Sequence, residues 1–276
     1  MDIDVEIIAV GNELLLGDVL DTNTHWLCQQ VSELGGTVRR AVMVPDRTEV
    51  IGDALSTALG REPRLIILTG GLGPTSDDLT LAALATQLQR PLEVHEQALK
   101  MVQAAYDTLA DRGLVHDARM TEERRKMAVL PRGAEPLHNQ VGAAPGVLLQ
   151  TGGTWIVCLP GVPAEMKSIF SASLAPLLGD LFEGRVFLER VLVTDCGDES
   201  LLAPIVDRLA ADHLQVYVKS RAQEYGEIVQ LRITLSLSGD GRLQVRSLVD
   251  AAERDLAERL ARAGISILDR ADAIRR

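Results

Sequence analysis

The chain has 276 residues, of which 46% are hydrophobic and 24% are charged, and its formal net charge at pH 7 is −11. This length and balance are typical of one large or two ordinary globular domains with buried cores. The acidic charge argues against nucleic acid as a partner, because sequence-independent binding needs many Lys and Arg side chains to neutralise phosphates.

The cysteines and the N-terminal segment indicate where the protein works. Cys28, Cys158 and Cys196 are widely spaced and form no CxxC pair, which is typical of reduced thiols rather than of a zinc site. Residues 1–4 lack the basic start and apolar segment of a signal peptide, and no apolar run is long enough to span a membrane. We therefore expect a cytoplasmic protein with no membrane partner.

Strands and helices alternate at the start of the chain. The pattern predicts strands over 5–10 and 37–44 and a third strand that begins at Leu65. The first strand runs into a loop over 11–18, and Asp21-Thr22-Asn23-Thr24 then offers caps to a helix. Such alternation predicts right-handed βαβ units, and hence a parallel sheet with helices on both faces.

A glycine-rich loop follows the third strand, with the sequence Thr69-Gly70-Gly71-Leu72-Gly73-Pro74-Thr75-Ser76-Asp77-Asp78. A buried strand, a tight loop and a helix start leave backbone N–H groups free to bind an anion, typically a phosphate. Glycine suits this loop because it accepts positive φ and has no Cβ to keep a ligand away. We therefore predict that this loop binds phosphate.

Two adjacent carboxylates, Asp77 and Asp78, close that loop. Beside a phosphate they would repel the ligand, by about 4 kcal/mol for unit charges 4 Å apart at an effective dielectric near 20. A divalent cation removes the conflict by bridging carboxylate and phosphate oxygens. The alternative is that one aspartate only caps the next helix. An aspartate pair behind a Gly-Gly-x-Gly-Pro turn favours the functional interpretation.

Other strand ends point to the same place, because ligands of parallel sheets collect beyond the carboxyl ends of the strands. The first strand ends at Gly11 with Glu13 close behind, and the second ends at Pro45 and Asp46. Taken alone, Asp46 is typical of an ordinary turn. Its position at a strand end that faces the same crevice makes it a candidate.

The middle of the chain predicts helices over 79–88, 93–109 and 121–127, then strands over 147–149 and 154–159 with a Gly152-Gly153 hairpin turn. Loops rich in glycine and proline occupy 139–146 and 160–167. Pro163 suits the first turn of a helix. Ordinary strand-to-helix connections explain one such loop, but three in one domain exceed what connection requires.

A domain boundary is predicted between 177 and 184, which gives domains over 1–178 and 185–276. The second part reads as β-α-β-β-α, a small KH-like α+β domain. Its predicted elements are strands over 186–194, 216–219 and 227–238, helices over 198–209 and 243–263, and a short last strand over 265–268. This patterning indicates no chemistry.

Four motifs, in this order, resemble the CinA family of competence/damage-inducible proteins. They occupy 10–23, 69–80, 139–146 and 159–167. Segments 217–219, 226–227 and 231–234 also fit the family's second domain, so the similarity covers essentially the whole chain. Within that resemblance the first domain is similar to the MogA-like, molybdopterin-binding fold of enzymes that adenylate molybdopterin. The fold class it implies is α/β, with a three-layer, mostly parallel sheet and a second, smaller α+β domain.

The resemblance also implies an activity and a homo-oligomer such as a dimer. The implied reaction is metal-dependent hydrolysis of a nucleotide pyrophosphate, usually ADP-ribose, in which Asp78 matches the family's essential aspartate and Asp46 a second acidic residue. Asn12 departs from the more usual Thr or Asp, so the contribution of that side chain stays open. The chain also stops at Arg276, whereas many relatives continue into a domain that deamidates nicotinamide mononucleotide, and we expect that activity to be absent.

Three hypotheses follow for the crevice. The first is hydrolysis of ADP-ribose to AMP and ribose 5-phosphate, with Asp46 and Asp78 binding Mg, Mn or Co or orienting water and Asp77 assisting. The second is adenylyl transfer from ATP to a pterin phosphate, and the third is binding of a pterin or nucleotide without turnover. The residues expected to bind the substrate are Gly11, Glu13, Asn23, Thr69, Gly70, Gly71, Gly73, Thr75, Asn139, Gly142, Pro145, Gly146, Pro160, Gly161, Pro163 and Glu165.

Overall fold

The computed structural model describes residues 3–225 and 228–275, which form two compact units. The larger unit comprises Met1–Val31 and Thr37–Leu181, and the smaller one comprises Ser32–Gly36 and Phe182–Arg276. Glu227, the predicted first residue of the 227–238 strand, lies outside the described residues, as do Gly226, the two N-terminal residues and the last residue. No helix among the described residues is long and apolar enough to cross a membrane.

Eight strands belong to the described part of the larger unit: β1 (Asp4–Val10), β2 (Thr37–Val44), β3 (Leu65–Thr69), β4 (Leu92–Val94), β5 (Val129–Pro131), β6 (Glu135–Leu137), β7 (Gly146–Thr151) and β8 (Thr154–Leu159). Six of them form one sheet in the order β2-β1-β3-β8-β7-β6. The first four in this order are mutually parallel, and β7 is antiparallel to both of its neighbours. The predicted hairpin is confirmed, since Thr151 pairs with Thr154 across Gly152-Gly153.

Helices cover the sheet, and their bounds are α1 (Asn12–Leu16), α2 (Thr22–Glu33), α3 (Thr48–Leu59), α4 (Thr80–Gln87), α5 (Glu96–Asp111), α6 (Glu122–Lys126), α7 (Pro163–Ile169) and α8 (Ala175–Leu181), with a π turn at Phe170–Leu174. Leu55 of α3 and Leu68 of β3 are fully buried in one core. A central strand buried at every position, as β3 is, requires cover on both faces. The three-layer, mostly parallel fold class is therefore confirmed.

Two local predictions are wrong. The predicted loop over 11–18 contains α1, which ends after five residues because Gly17 takes a left-handed φ of 78°. The helix predicted from Glu93 begins at Glu96, capped by His95, while Glu93 lies in β4 and pairs with Leu130 of β5. Local periodicity cannot reveal that pairing, because the two strands are far apart in sequence.

The smaller unit contains β9 (Arg185–Thr194), α9 (Glu199–Asp212), β10 (Tyr217–Tyr225), β11 (Ile228–Asp240), α10 (Arg242–Arg262) and β12 (Ile267–Arg275). Its described strands form an antiparallel sheet in the order β10-β11-β9-β12. The predicted succession of elements is confirmed, although the last strand is longer than predicted. Its core includes Leu192 of β9, Ile233 of β11 and Val249 of α10.

Candidate functional site

A cleft of about 630 Å³ lies where the four parallel strands of the larger unit end. Segments that follow β1, β2, β3 and β8 all contribute to it, as expected for the carboxyl edge of a parallel sheet. The predicted site residues that line the cleft are Gly11, Glu13, Asp46, Gly70, Gly71, Gly73, Asp77, Asp78, Pro160, Gly161, Pro163 and Glu165.

The lining of the cleft is acidic. Its five carboxylates are Glu13, Asp46, Asp77, Asp78 and Glu165, and the described residues that line it include no Lys, Arg or His. An anionic ligand placed here meets repulsion from every ionised side chain in the lining. Phosphate binding therefore requires backbone N–H groups together with a cation.

The backbone of the glycine loop is held in place by its neighbours. Gly70 and Gly71 have φ values of 105° and 68°, which favour glycine. The Gly70 N–H donates to Leu159 O at 2.9 Å, and Thr80 Oγ1 donates to Gly70 O at 2.7 Å. The prediction that the Gly70 amide is free for a phosphate is therefore wrong. Within the described part of the chain, no hydrogen bond engages the amides of Gly71 and Gly73.

Thr75 orders the two loop aspartates. Its backbone N–H and its hydroxyl donate to Asp78 Oδ2 at 2.8 and 2.7 Å, and the hydroxyl also contacts Asp77 Oδ1. The hydrogen bond from the Thr75 hydroxyl is the largest cause that lowers the pKa of Asp77, and the positive charge of Lys126 contributes less. The helix after the loop starts at Thr80 with no side-chain cap. The alternative interpretation of these aspartates as helix caps is therefore wrong.

Glu165 is held by the loop before β7. Asn139, only 7% exposed, donates through Nδ2 to Glu165 Oε2 at 2.6 Å and to Ala144 O at 2.8 Å. Asn139 Oδ1 accepts from the Gly142 N–H at 2.9 Å. Burial raises the pKa of the Glu165 carboxyl, although the hydrogen bond from Asn139 opposes this. Glu165 thus keeps its proton to a higher pH than an exposed glutamate.

Several predicted site residues stand behind the lining rather than in it. The buried side chain of Asn23 donates to Gly161 O at 2.7 Å and to Thr69 Oγ1 at 3.3 Å. Thr69 in turn donates to Pro160 O at 3.2 Å. These contacts support the turn after β8. The residues that the structure places outside the lining are Asn23, Thr69, Thr75, Asn139, Gly142, Pro145 and Gly146.

Sequence reasoning missed part of one side of the cleft, because it singled out the loops that hold Leu72 and Ala143–Ala144 but neither Tyr106 nor Met127. This side, here named the apolar wall, consists of Leu72, Tyr106, Met127, Ala143 and Ala144. Tyr106 lies on α5, where helical spacing is typical of an ordinary core position. Only the tertiary packing of the helical insert brings that residue to the carboxyl edge of the sheet.

The carboxylates of the cleft are the candidate ligands of the expected metal ion. Among the described residues, no group of three or more His, Cys, Asp or Glu side chains is placed to hold a metal ion. Asp46 and Asp78 nevertheless line one cleft. Mg²⁺ is commonly held by one or two carboxylates together with substrate phosphates and water. These residues therefore fit a cation that binds with a phosphorylated ligand.

The fold and the cleft define an α/β protein with an acidic cleft at the carboxyl edge of its sheet. Residues 6–180 match a family model described as "Probable molybdopterin binding domain". A crystal structure of CinA from Thermoplasma acidophilum, described as a protein of unknown function, is 35% identical and covers 64% of this chain and 98% of that chain, with a TM-score of 0.57. The chain therefore belongs to this molybdopterin-binding-domain family, and its resemblance to CinA is confirmed.

Archaeal relatives extend the likeness over most of the chain. A protein of Aeropyrum pernix is 42% identical over 91% of this chain and 93% of its own length. A protein of Pyrobaculum calidifontis is 43% identical over 91% of this chain and 94% of its own length. The similarity thus extends past the family domain into the smaller unit.

Proposed function

We propose that the cleft binds a phosphorylated pterin or nucleotide and that the protein catalyses a cation-dependent reaction at a nucleotide α-phosphorus. Adenylyl transfer to a pterin phosphate is the first candidate, because the family is described as molybdopterin-binding. The proposal rests on one observation: backbone amides that can donate to a phosphate and carboxylates that can hold a cation line the same cleft. The Gly71 and Gly73 amides are available there, within the described residues, beside five carboxylates.

Each group has a defined part in this proposal. The Gly71 and Gly73 amides donate to phosphate oxygens, and Asp46 and Asp78 hold the cation, with Asp77 assisting. A bound divalent cation supplies charge neutralisation and polarises the phosphoryl oxygens. Positioning and electrostatic stabilisation supply most of the acceleration in such reactions. Glu165 completes the acidic lining, and burial raises the pKa of its carboxyl.

Hydrolysis of ADP-ribose is the second candidate, and the charge of the lining favours it. Adenylyl transfer requires the cleft to hold two anionic ligands at once, ATP and a pterin phosphate. Without a basic side chain among the described lining residues, a second anion adds repulsion that only further cations relieve. A single diphosphate substrate and water avoid this cost.

Product analysis separates the two candidates. The purified protein is incubated with ATP plus molybdopterin and, separately, with ADP-ribose, each with Mg²⁺, Mn²⁺, Co²⁺ or a chelator. Pyrophosphate and an adenylylated pterin from the first mixture identify a transferase, whereas AMP from the second identifies a hydrolase. Binding without product in either mixture contradicts catalysis and leaves a binding protein.

We also propose a cytoplasmic location and a homo-oligomer such as a dimer. Support for a reducing compartment comes from Cys28, Cys158 and Cys196, which are all free. Burial raises the pKa of Cys158 to about 12, so this thiol stays protonated and unreactive at neutral pH. Fractionation of cells and light scattering of the purified protein test the two proposals.

A further inference from the structure

The apolar wall of the cleft has no part in the phosphate chemistry proposed above. Leu72 is 4% exposed, Met127 3% and Ala144 7%, so their side chains are nearly buried even in the open cleft. Tyr106 is half-buried and packs against the same core. Tyr106 is also the one aromatic side chain among the described residues that line the cleft.

Arg124 fixes the ring of Tyr106. Its guanidinium carbon lies 3.9 Å from the ring centroid, which is a cation–π contact. The same side chain donates through Nη1 to Asp117 O at 3.0 Å and to Arg119 O at 2.7 Å. Arg124 itself does not line the cleft in the described structure. Arg124 therefore covers one face of the ring, while the tyrosine itself contributes to the lining of the cleft.

Carboxylates and apolar side chains both line the cleft. The carboxylates come from the strand-end loops and from the starts of α1 and α7, whereas Tyr106 and Met127 come from the helical insert between β3 and β7. No hydrogen bond among the described residues engages the Tyr106 hydroxyl. A ligand that carries both a phosphate and a flat aromatic ring matches this mixed lining.

We infer that Tyr106 is the stacking platform for the planar heteroaromatic ring, a purine base or a pterin, of the ligand that the cleft binds. The inference rests on the proposed function, because that function places a phosphorylated pterin or nucleotide in the cleft. Aromatic side chains stack on bases and pterins with little regard to the identity of the ring substituents. Specificity for one ring then comes from polar groups at its edge.

Calorimetric titration with three ligands tests the inference, each in the presence of Mg²⁺: AMP, ribose 5-phosphate and a free pterin. AMP and ribose 5-phosphate share a phosphate and a sugar and differ in the ring. We expect wild-type protein to bind AMP about tenfold more tightly than ribose 5-phosphate, the usual scale of one stacked ring. Tyr106→Phe keeps this ratio, whereas Tyr106→Leu reduces it to below about threefold and leaves ribose 5-phosphate binding unchanged.

Controls keep the outcomes distinct. Tyr217→Leu, at a tyrosine of the smaller unit that is 56% exposed, leaves the ratio unchanged. A folded Tyr106→Leu variant with the wild-type ratio overturns the inference while the proposed function stands. If that variant does not fold, the wild-type protein decides the question. The inference is overturned if AMP and ribose 5-phosphate bind wild type equally tightly and free pterin displaces neither. If no ligand binds at all, both the proposed function and the inference fail.

Discussion

Asn12 and Asp46 exchange two hydrogen bonds across the ends of β1 and β2. The Asn12 N–H donates to Asp46 Oδ2 at 2.8 Å, and the Asp46 N–H donates to Asn12 Oδ1 at 3.3 Å. The neighbouring Gly11 N–H donates to Val44 O at 3.0 Å, which ties the same two segments. The side chain whose contribution the sequence left open thus holds the backbone of a proposed catalytic residue, Asp46, while the Asn12 backbone holds its carboxylate.

Asn12→Ala removes the acceptor for the Asp46 N–H but leaves the backbone donor to its carboxylate. Because the pair is solvent-accessible, we expect a loss of unfolding free energy of about 1 kcal/mol or less. Turnover should fall about tenfold, because a proposed catalytic carboxylate becomes less well oriented. Asn12→Asp retains an oxygen acceptor and serves as the matched variant. Urea unfolding and steady-state kinetics measure the two effects, and unchanged turnover in Asn12→Ala removes the positioning role.

Asp78→Asn tests the proposed cation ligand directly. The amide keeps the size of the side chain and an oxygen that can accept from Thr75. We expect turnover to fall by about 100-fold or more, while the nucleotide still binds, because a charge that acts in the transition state is removed. The control is Asp53→Asn, at an exposed residue of α3 away from the cleft. Equal losses in the two variants contradict a specific role for Asp78.

Gly73→Ala tests the space beside Asp78. A Cβ at position 73 would lie 2.7 Å from Asp78 Oδ2, so this carboxylate must move. We expect turnover to fall about tenfold with little change in melting temperature. Gly179→Ala is the matched control, since a Cβ there meets no atom within 4 Å. A Gly73→Ala enzyme with wild-type kinetics indicates that the exact position of the carboxylate is unimportant.

The pH dependence of stability reports on Glu165. Burial raises the pKa of this carboxyl above its ordinary value of 4.5, so the folded protein holds the proton at pH values where the unfolded chain has released it. The free energy of unfolding therefore decreases as the pH rises from the ordinary pKa through the folded-state pKa. Glu165→Gln abolishes this decrease, whereas Glu135→Gln, at an exposed position of β6, preserves it. Urea denaturation between pH 4 and 8 measures the difference, and matching profiles for wild type and Glu165→Gln refute the assignment.

The sequence predicted the strands of the sheet well because their signals are local. The bounds of β2 and β8 agree with the prediction at both ends, since glycine or proline lies next to each strand and β-branched residues recur within it. The short β4, β5 and β6 were missed, because each has three residues and is stabilised by pairing, β4 with β5 and β6 with β7 at the edge of the main sheet. Contacts between distant segments leave no local pattern.

The candidate site shows the same limit. Glycines and aspartates at strand ends pointed to the cleft, because the topology of a parallel sheet brings those ends together. Which of the polar residues near these strand ends face the cleft was not predictable, since Thr69, Thr75 and Asn139 instead donate to the Pro160 carbonyl, Asp78 and Glu165. Gly73 and Gly142 prove to make room for Asp78 and Glu165. That role depends on side-chain placement, which sequence spacing does not determine.

The acidic lining has a consequence for ionic strength. A site that binds phosphate through Lys or Arg loses affinity as salt is added, because counterions compete for the basic charges. Here the fixed charges have the same sign as the ligand, so screening weakens a repulsion instead of an attraction. With divalent cations removed, added potassium chloride is expected to tighten the binding of a nucleotide. This salt dependence is opposite in sign to that of a site built from Lys or Arg.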